Sequence, residues 1–128
     1  MDKEILKYFL PAGILENFEV KSVTEFYDTR EQNDALKIEL EELNNLREPY
    51  KASEYESKGF FPERTVQDFP IRGKAVYLVI KRRRWRHKIN KNEEVHNDYT
   101  FIAKGLNLTQ EISDFLKSTG RDPSRYNF

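Results

Sequence analysis

Arg64-Thr-Val-Gln-Asp-Phe-Pro-Ile71, Arg72-Gly73 and Lys74-Ala-Val-Tyr-Leu-Val-Ile-Lys-Arg-Arg-Arg-Trp-Arg-His-Lys88 follow one another without a break near the middle of the chain. Two strand-like runs flank a glycine turn, so the stretch predicts a β-hairpin. Pro70 lacks the amide that a central ladder needs, which places the first strand at or near a sheet edge. Side chains alternate faces along a strand. Val76, Leu78 and Ile80 therefore share a face with Arg82, Arg84 and Arg86, while Tyr77 and Val79 share the other with Lys81, Arg83 and Trp85. The second strand begins as core and ends as a charged arm. Because both faces turn basic after Ile80, its second half is expected to extend past the packed sheet.

Upstream, Ile5, Leu6, Phe9 and Leu10 have helical spacing, and Pro11 suits the first turn of a second short helix carrying Ile14, Leu15 and Phe18. From Phe18 the period becomes two. Phe18, Val20, Ser22, Thr24 and Phe26 fall on one side, and Leu36, Ile38 and Leu40 alternate with Lys37, Glu39 and Glu41, predicting two strands joined around Asp28 to Asp34. The second run would also fit a helix through Leu36, Leu40 and Leu43; β-branched Ile38 and the alternation favour the strand. Asn44 to Gly59 reads as a polar loop. Downstream of the hairpin, a third strand is expected from Tyr99 to Ala103. Leu108, Ile112, Phe115 and Leu116 then mark a helix that Asn107 or Thr109 caps, Gly120 ends and Pro123 keeps from resuming. The expected fold class is α+β: short N-terminal helices, a small, mostly antiparallel sheet with a long basic strand, and a C-terminal helix. One domain over residues 1–128 is the default at this length.

The composition is compatible with a modest core, since 34 of the 128 residues are Leu, Ile, Val or Phe. There is no Cys and there are only two His, which removes a disulfide framework, a thiol nucleophile and the usual thiolate or His-rich metal sites. Neither a signal peptide nor a membrane span is recognisable, so a cytoplasmic chain without membrane association is expected. The 22 basic and 22 acidic residues cancel overall but not locally. Residues 1–57 hold 7 basic and 14 acidic side chains, residues 58–92 hold 11 and 2, and residues 93–128 hold 4 and 6. The acidic N-terminal part, the basic strand region and the C-terminal strand and helix (93–120) thus differ in sign, and a concentrated basic stretch between acidic flanks points to a polyanionic partner.

Within that stretch every position from Lys81 to Lys88 except Trp85 is Lys, Arg or His. Arginine's planar fork donates two parallel hydrogen bonds to a phosphate or a guanine edge, and a two-stranded ribbon fits a major groove. The competing reading is a solvated edge strand protected by charge, although edge protection needs fewer charges than this. The residues expected to bind DNA are Lys74, Lys81, Arg82, Arg83, Arg84, Trp85, Arg86, His87 and Lys88, with Trp85 weighed also as part of the core. An RNA-binding module is a further alternative if Tyr77, Trp85 and Tyr99 line one exposed face. No catalytic constellation emerges. His87 and His96 lie nine apart, Glu41-Glu42 and Glu93-Glu94 read as solvated charge, the five glycines never cluster into a phosphate loop, and no serine has a nucleophile-elbow context.

Tyr55-Glu-Ser-Lys-Gly-Phe60, Val66-Gln-Asp-Phe-Pro-Ile-Arg-Gly-Lys-Ala-Val-Tyr-Leu78, Arg82-Arg-Arg-Trp-Arg86, Asn97-Asp-Tyr-Thr-Phe-Ile102 and Leu108-Thr-Gln-Glu-Ile-Ser-Asp-Phe-Leu116 together resemble the N-terminal region of ISAon-group insertion-sequence transposases. The resemblance spans nearly the whole chain and is most specific from Asp68 to Arg86. More distantly, that block is similar to the segment beside the zinc-binding module of ISL-three-type transposases, where cysteine pairs bracket it; those cysteines are absent here, so neither zinc nor any other cofactor is carried over. The resemblance implies a non-catalytic DNA-binding module that contributes to transposon-end recognition through Lys74 and Arg82 to Arg86. Double-stranded DNA is then the expected partner. An acidic two-metal catalytic domain would belong to another polypeptide or to a missing C-terminal part, which makes the chain an N-terminal fragment or a separately encoded first reading frame. The alternative is a protein-interaction or regulatory subunit of a transposition system, docking its acidic half on a catalytic transposase subunit without itself binding DNA.

Overall fold

In the computed structural model, which describes residues 6–11, 13–102 and 107–121, the chain enters through a single helical turn in which the Phe9 and Leu10 amides donate to the Leu6 carbonyl. A four-residue helix α1 (Ile14–Asn17) follows and runs directly into strand β1 (Phe18–Asp28). Next come β2 (Asn33–Glu42), a 3-10 turn (Ala52–Glu54), β3 (Tyr55–Phe60), β4 (Arg64–Ile71), β5 (Lys74–Lys81), β6 (Arg83–His87), the two-residue β7 (Glu94–Val95) and helix α2 (Gln110–Ser118). The fold is α+β. A four-stranded sheet in the order β1-β2-β5-β4 is antiparallel except for the parallel β2–β5 pair, and a three-stranded antiparallel sheet has the order β3-β6-β7. No helix among the described residues is long and apolar enough to cross a membrane.

The central hairpin forms as its sequence requires. Arg72 and Gly73 both take positive φ, 54° and 77°, the combination a two-residue turn needs to match the twist of the strands it joins. Pro70 lies in β4, one of the two edge strands of its sheet. Val76, Leu78 and Ile80 of β5 are buried with Ile38 and Leu40 of β2, Val66 of β4, and Leu6, Leu10, Ile14 and Phe18 from the entering segment. The opposite face of β5 is lighter: Tyr77 packs with Ala35 and Ala75, and its hydroxyl donates to Asp28.

Three expectations are corrected. The polar loop ends earlier than Gly59, because residues from Tyr55 onward pair with β6. Tyr99–Ile102 is not a strand: Ile102 makes only an isolated bridge to Thr109, Tyr99 and Phe101 close on the Phe18 ring at 5.1 and 5.8 Å, and Ala103 lies outside the described residues. Side chains at 99, 101 and 102 all pack on the same core, which alternation forbids to an extended strand. Finally, the basic arm does not project past a sheet. The chain leaves the first sheet at Lys81 and, after Arg82, becomes the middle strand of the second.

Helix α2 closes the structure against the β4 edge. The Gln67 amide donates to the Asn107 carbonyl and the Thr109 amide to that of Gln67, so the segment before the helix pairs with the edge strand. Thr109 occupies the N-cap position, yet its hydroxyl donates to buried Asp68 at 2.8 Å instead of capping the helix. Gly120, at φ 77°, ends it: the Arg121 amide returns to the Leu116 carbonyl and that of Gly120 to Lys117. Pro123 lies outside the described residues.

Candidate nucleic-acid interface

Central placement of β6 lets its arginines meet side chains from strands on both sides. β3 supplies Glu56 and Lys58, and β7 supplies Glu94. Arg84 Nη2 donates to Glu94 Oε1 at 2.8 Å, and Arg86 Nη2 to Glu56 Oε1 at 2.9 Å. Lys58 and Lys91 reach the same two carboxylate oxygens, at 2.7 and 2.9 Å. Arg82 donates to the Asn97 carbonyl, meets His96 Nδ1 at 3.1 Å and stands 4.0 Å from Asp98 Oδ1. Guanidinium groups of Arg82 and Arg84 both lie over the Phe61 ring, at 6.0 and 5.6 Å, which fixes them on one side of the strand. Arg82, Arg84 and Arg86 thus form a row with a spacing of about 6.6 Å along the backbone, and Lys58 and Lys91 flank it. Among the described residues this face sets five permanent cations against Glu56, Glu94 and Asp98.

The carboxylates in this row are held in their charged form. Hydrogen bonds from Lys91 and then Arg86 hold Glu56 below the usual carboxylate range, and Lys58 and then Arg84 do the same for Glu94. Beside them, Tyr55 donates to Glu93, and that bond pushes its phenol up to about 12.

The remaining residues read from the sequence are dispersed. Trp85 is only 2% exposed, and its indole N–H donates to Asn44 Oδ1 at 2.9 Å, so it anchors the sheet and presents no stacking surface. Arg83 is a clamp: its amide donates to Glu42 Oε1 at 2.9 Å, its Nε to the Glu42 carbonyl at 3.3 Å and its Nη1 to Ser57 Oγ at 2.8 Å, while the guanidinium covers Phe60. Lys81 stands over the same ring. His87 accepts the Ile89 and Asn90 amides on Nδ1 and shapes the turn after β6. Lys88 is exposed just past the strand, with its amide bonded to the Glu54 carbonyl. Lys74 pairs with Glu25 at 3.1 Å, eight positions and about 26 Å of extended chain from Arg82.

Sequence patterning missed Lys58, Lys91 and Phe61 as members of this face, since Lys58 falls in the stretch read as a polar loop and no element is read for Phe61 or Lys91. The alternation of Glu56 with Lys58 just before Phe60 was the available signal. Tyr77, Trp85 and Tyr99 do not share an exposed face: the first two are buried and the third packs on Phe18. Among the described residues no group of three or more His, Asp or Glu is placed to hold a metal ion. The chain matches no family model, no curated protein and no solved structure.

Proposed function

We propose that the chain is a non-catalytic, cytoplasmic DNA-binding module of a transposition system, the N-terminal module of a transposase, contributing to recognition of transposon ends. The observation that carries this reading is the row of Arg82, Arg84 and Arg86 on one sheet face, with Lys58 and Lys91 beside it and a cationic excess over the intervening carboxylates. A regular array of forked donors suits a polymer with regularly spaced phosphates, and the Phe61 ring beneath two of them holds their planes in place. The resemblance of the Asp68 to Arg86 block to insertion-sequence transposases gives the biological setting.

Titration of the full chain against short duplexes, transposon-end and random, over a range of salt tests this directly. If the five cations meet phosphates, log affinity falls against log salt with a slope near roughly −4 to −5, and Arg82→Ala, Arg84→Ala and Arg86→Ala together flatten it by up to ~3. No binding of any duplex at low salt, or a triple variant that binds like the parent while folded, overturns the reading. Capture of a catalytic transposase polypeptide without DNA binding selects the interaction-module alternative.

A further inference from the structure

Glu56 and Glu94 each use a single carboxylate oxygen to hold two bases. Glu94 Oε1 accepts from Lys58 Nζ at 2.7 Å and from Arg84 Nη2 at 2.8 Å; Glu56 Oε1 accepts from Arg86 Nη2 at 2.9 Å, from Arg86 Nε at 3.2 Å and from Lys91 Nζ at 2.9 Å. An anionic oxygen held between one guanidinium and one ammonium is the arrangement a phosphodiester oxygen also adopts with an Arg and a Lys. The two sites repeat along the strand, because Arg84 and Arg86 are two residues apart. They are also reachable: the side chains of Arg84 and Arg86 are 33% and 34% exposed, and both glutamates 38%. Ion pairs of that exposure are weak and screened by salt, so a ligand that brings its own oxyanions can exchange with them.

We propose that Glu56 and Glu94 are resident occupants of two phosphate sites, Arg86/Lys91 and Arg84/Lys58, and that nucleic-acid backbone binds by replacing their carboxylate oxygens with its own. This rests on the DNA-binding reading above and assigns where two of the phosphates sit. The glutamates act in two opposing ways. They keep the guanidinium planes oriented in the free protein, which lowers the ordering cost of docking, and they repel the incoming phosphates. The ligand favoured by such sites is one that fills both together, a polymer instead of a single small anion.

Duplex binding by the parent, by the Glu56→Gln, Glu94→Gln double variant and by a Glu31→Gln, Asp34→Asn control distinguishes the possibilities. Glu31 lies in the β1–β2 turn and Asp34 at the start of β2, both exposed and at the other end of β2 from Glu42 and β6, and their replacement changes net charge by the same amount. At about 0.1 M salt, well beyond one screening length, the control shifts affinity less than about twofold, whereas the Glu56/Glu94 variant tightens it about five- to tenfold. A parent that binds, with a double variant no tighter than the control, overturns the two phosphate sites and leaves the DNA-binding reading standing. Absence of binding by parent and variant alike overturns that reading itself. Thermal melting accompanies each titration, and Glu94→Gln alone tests the Arg84/Lys58 site if the double variant does not fold.

Discussion

Asp68 shows how one buried carboxyl ties an edge strand to a helix. It is 3% exposed at the β4 irregularity, where the Thr109 hydroxyl and the Phe69 amide donate to it, and burial outweighs both bonds, pushing its carboxyl above the ordinary value, with Glu111 adding in the same direction. The sign follows from linkage. A carboxyl whose folded value is raised favours the fold most when protonated, so its contribution is full below the unfolded value and is lost as pH rises through the folded one. Asp68→Asn keeps an oxygen for Thr109 and Phe69 and never ionises. The variant is therefore expected to gain stability relative to the parent as pH rises from about 4, the ordinary Asp value, to neutrality. Melting both proteins across that range checks it, and a constant gap between the two curves contradicts it. Nothing in the sequence marked this residue: Asp68 stood inside the resemblance block as one letter of a pattern, and its burial depends on Thr109, forty-one positions away.

At the scale of elements, legibility tracked how local the deciding interaction is. The β4–β5 hairpin was readable because its turn and its apolar alternation lie within one stretch; Arg72-Gly73 dictates the reversal and Leu78 is fully buried as its phase demands. Helix α2 was readable for the same reason, and so was the pairing of β1 with β2, but not the facing of β1: an irregularity between Val20 and Ser22 turns Val23 to the core and Phe26 to the Tyr77 side, so the single side expected for Phe18, Val20, Ser22, Thr24 and Phe26 is broken. What failed was non-local. The fate of the basic run depended on β3 and β7, a six-residue strand rich in polar residues and a two-residue one, whose pairing is stabilised by carboxylates meeting arginines and by Trp85 beneath them. Alternation found the Arg82, Arg84 and Arg86 face correctly but could not tell that acidic partners would line it. The Tyr99–Ala103 segment misled because aromatic residues suit a core loop as well as a strand. The hairpin itself gives a test. A Cβ at Gly73 would meet nothing within 4 Å, so Gly73→Ala probes only the positive φ of 77°. The expected cost is about 1–2 kcal/mol with the fold unchanged, the price of a left-handed conformation for a residue with a side chain; chemical denaturation measures it, and a neutral substitution would show that the turn relaxes to another type.

At the scale of the whole molecule, the chain passes between the two sheets after β2, after β3 and, at Arg82, after β5, and a buried ionisable side chain ties them as well. Glu42, read from the sequence as solvated charge, instead ends β2 of the first sheet at 1% exposure, because Arg83, Asn97 and Tyr99 from distant segments close over it. Its Oε1 accepts the amide of Arg83, the first residue of β6, and its Oε2 accepts Asn97 Nδ2 at 2.8 Å together with the Tyr99 hydroxyl. Desolvation and then the bond to Glu42 push the Tyr99 phenol far above its ordinary value, and Arg47 stacks on the same ring at 4.6 Å. One carboxylate thereby joins the first sheet, the second sheet and the 97–99 segment. Replacing it by Ala strands the Arg83 amide and the Tyr99 phenol, which water reaches poorly, and leaves Asn97 Nδ2 with only the Asn45 carbonyl, a loss of about 3 kcal/mol or more if the first two stay unpaired. The sheets report separately. Trp85, the only tryptophan, is buried in the second, whereas far-ultraviolet circular dichroism averages over both. In the parent the two signals are expected to melt together, because the tie makes the halves one cooperative unit. In Glu42→Ala the Trp85 fluorescence transition is expected to move to lower temperature than the dichroism transition, since the three-stranded sheet loses a buried attachment to the core while the β1-β2-β5-β4 core keeps Leu78 and its neighbours. Coincident transitions in the variant, merely shifted, would mean that the chain crossings between the sheets, those at Arg82 and at residues 61–63 among them, hold the arginine face in register with the core without Glu42.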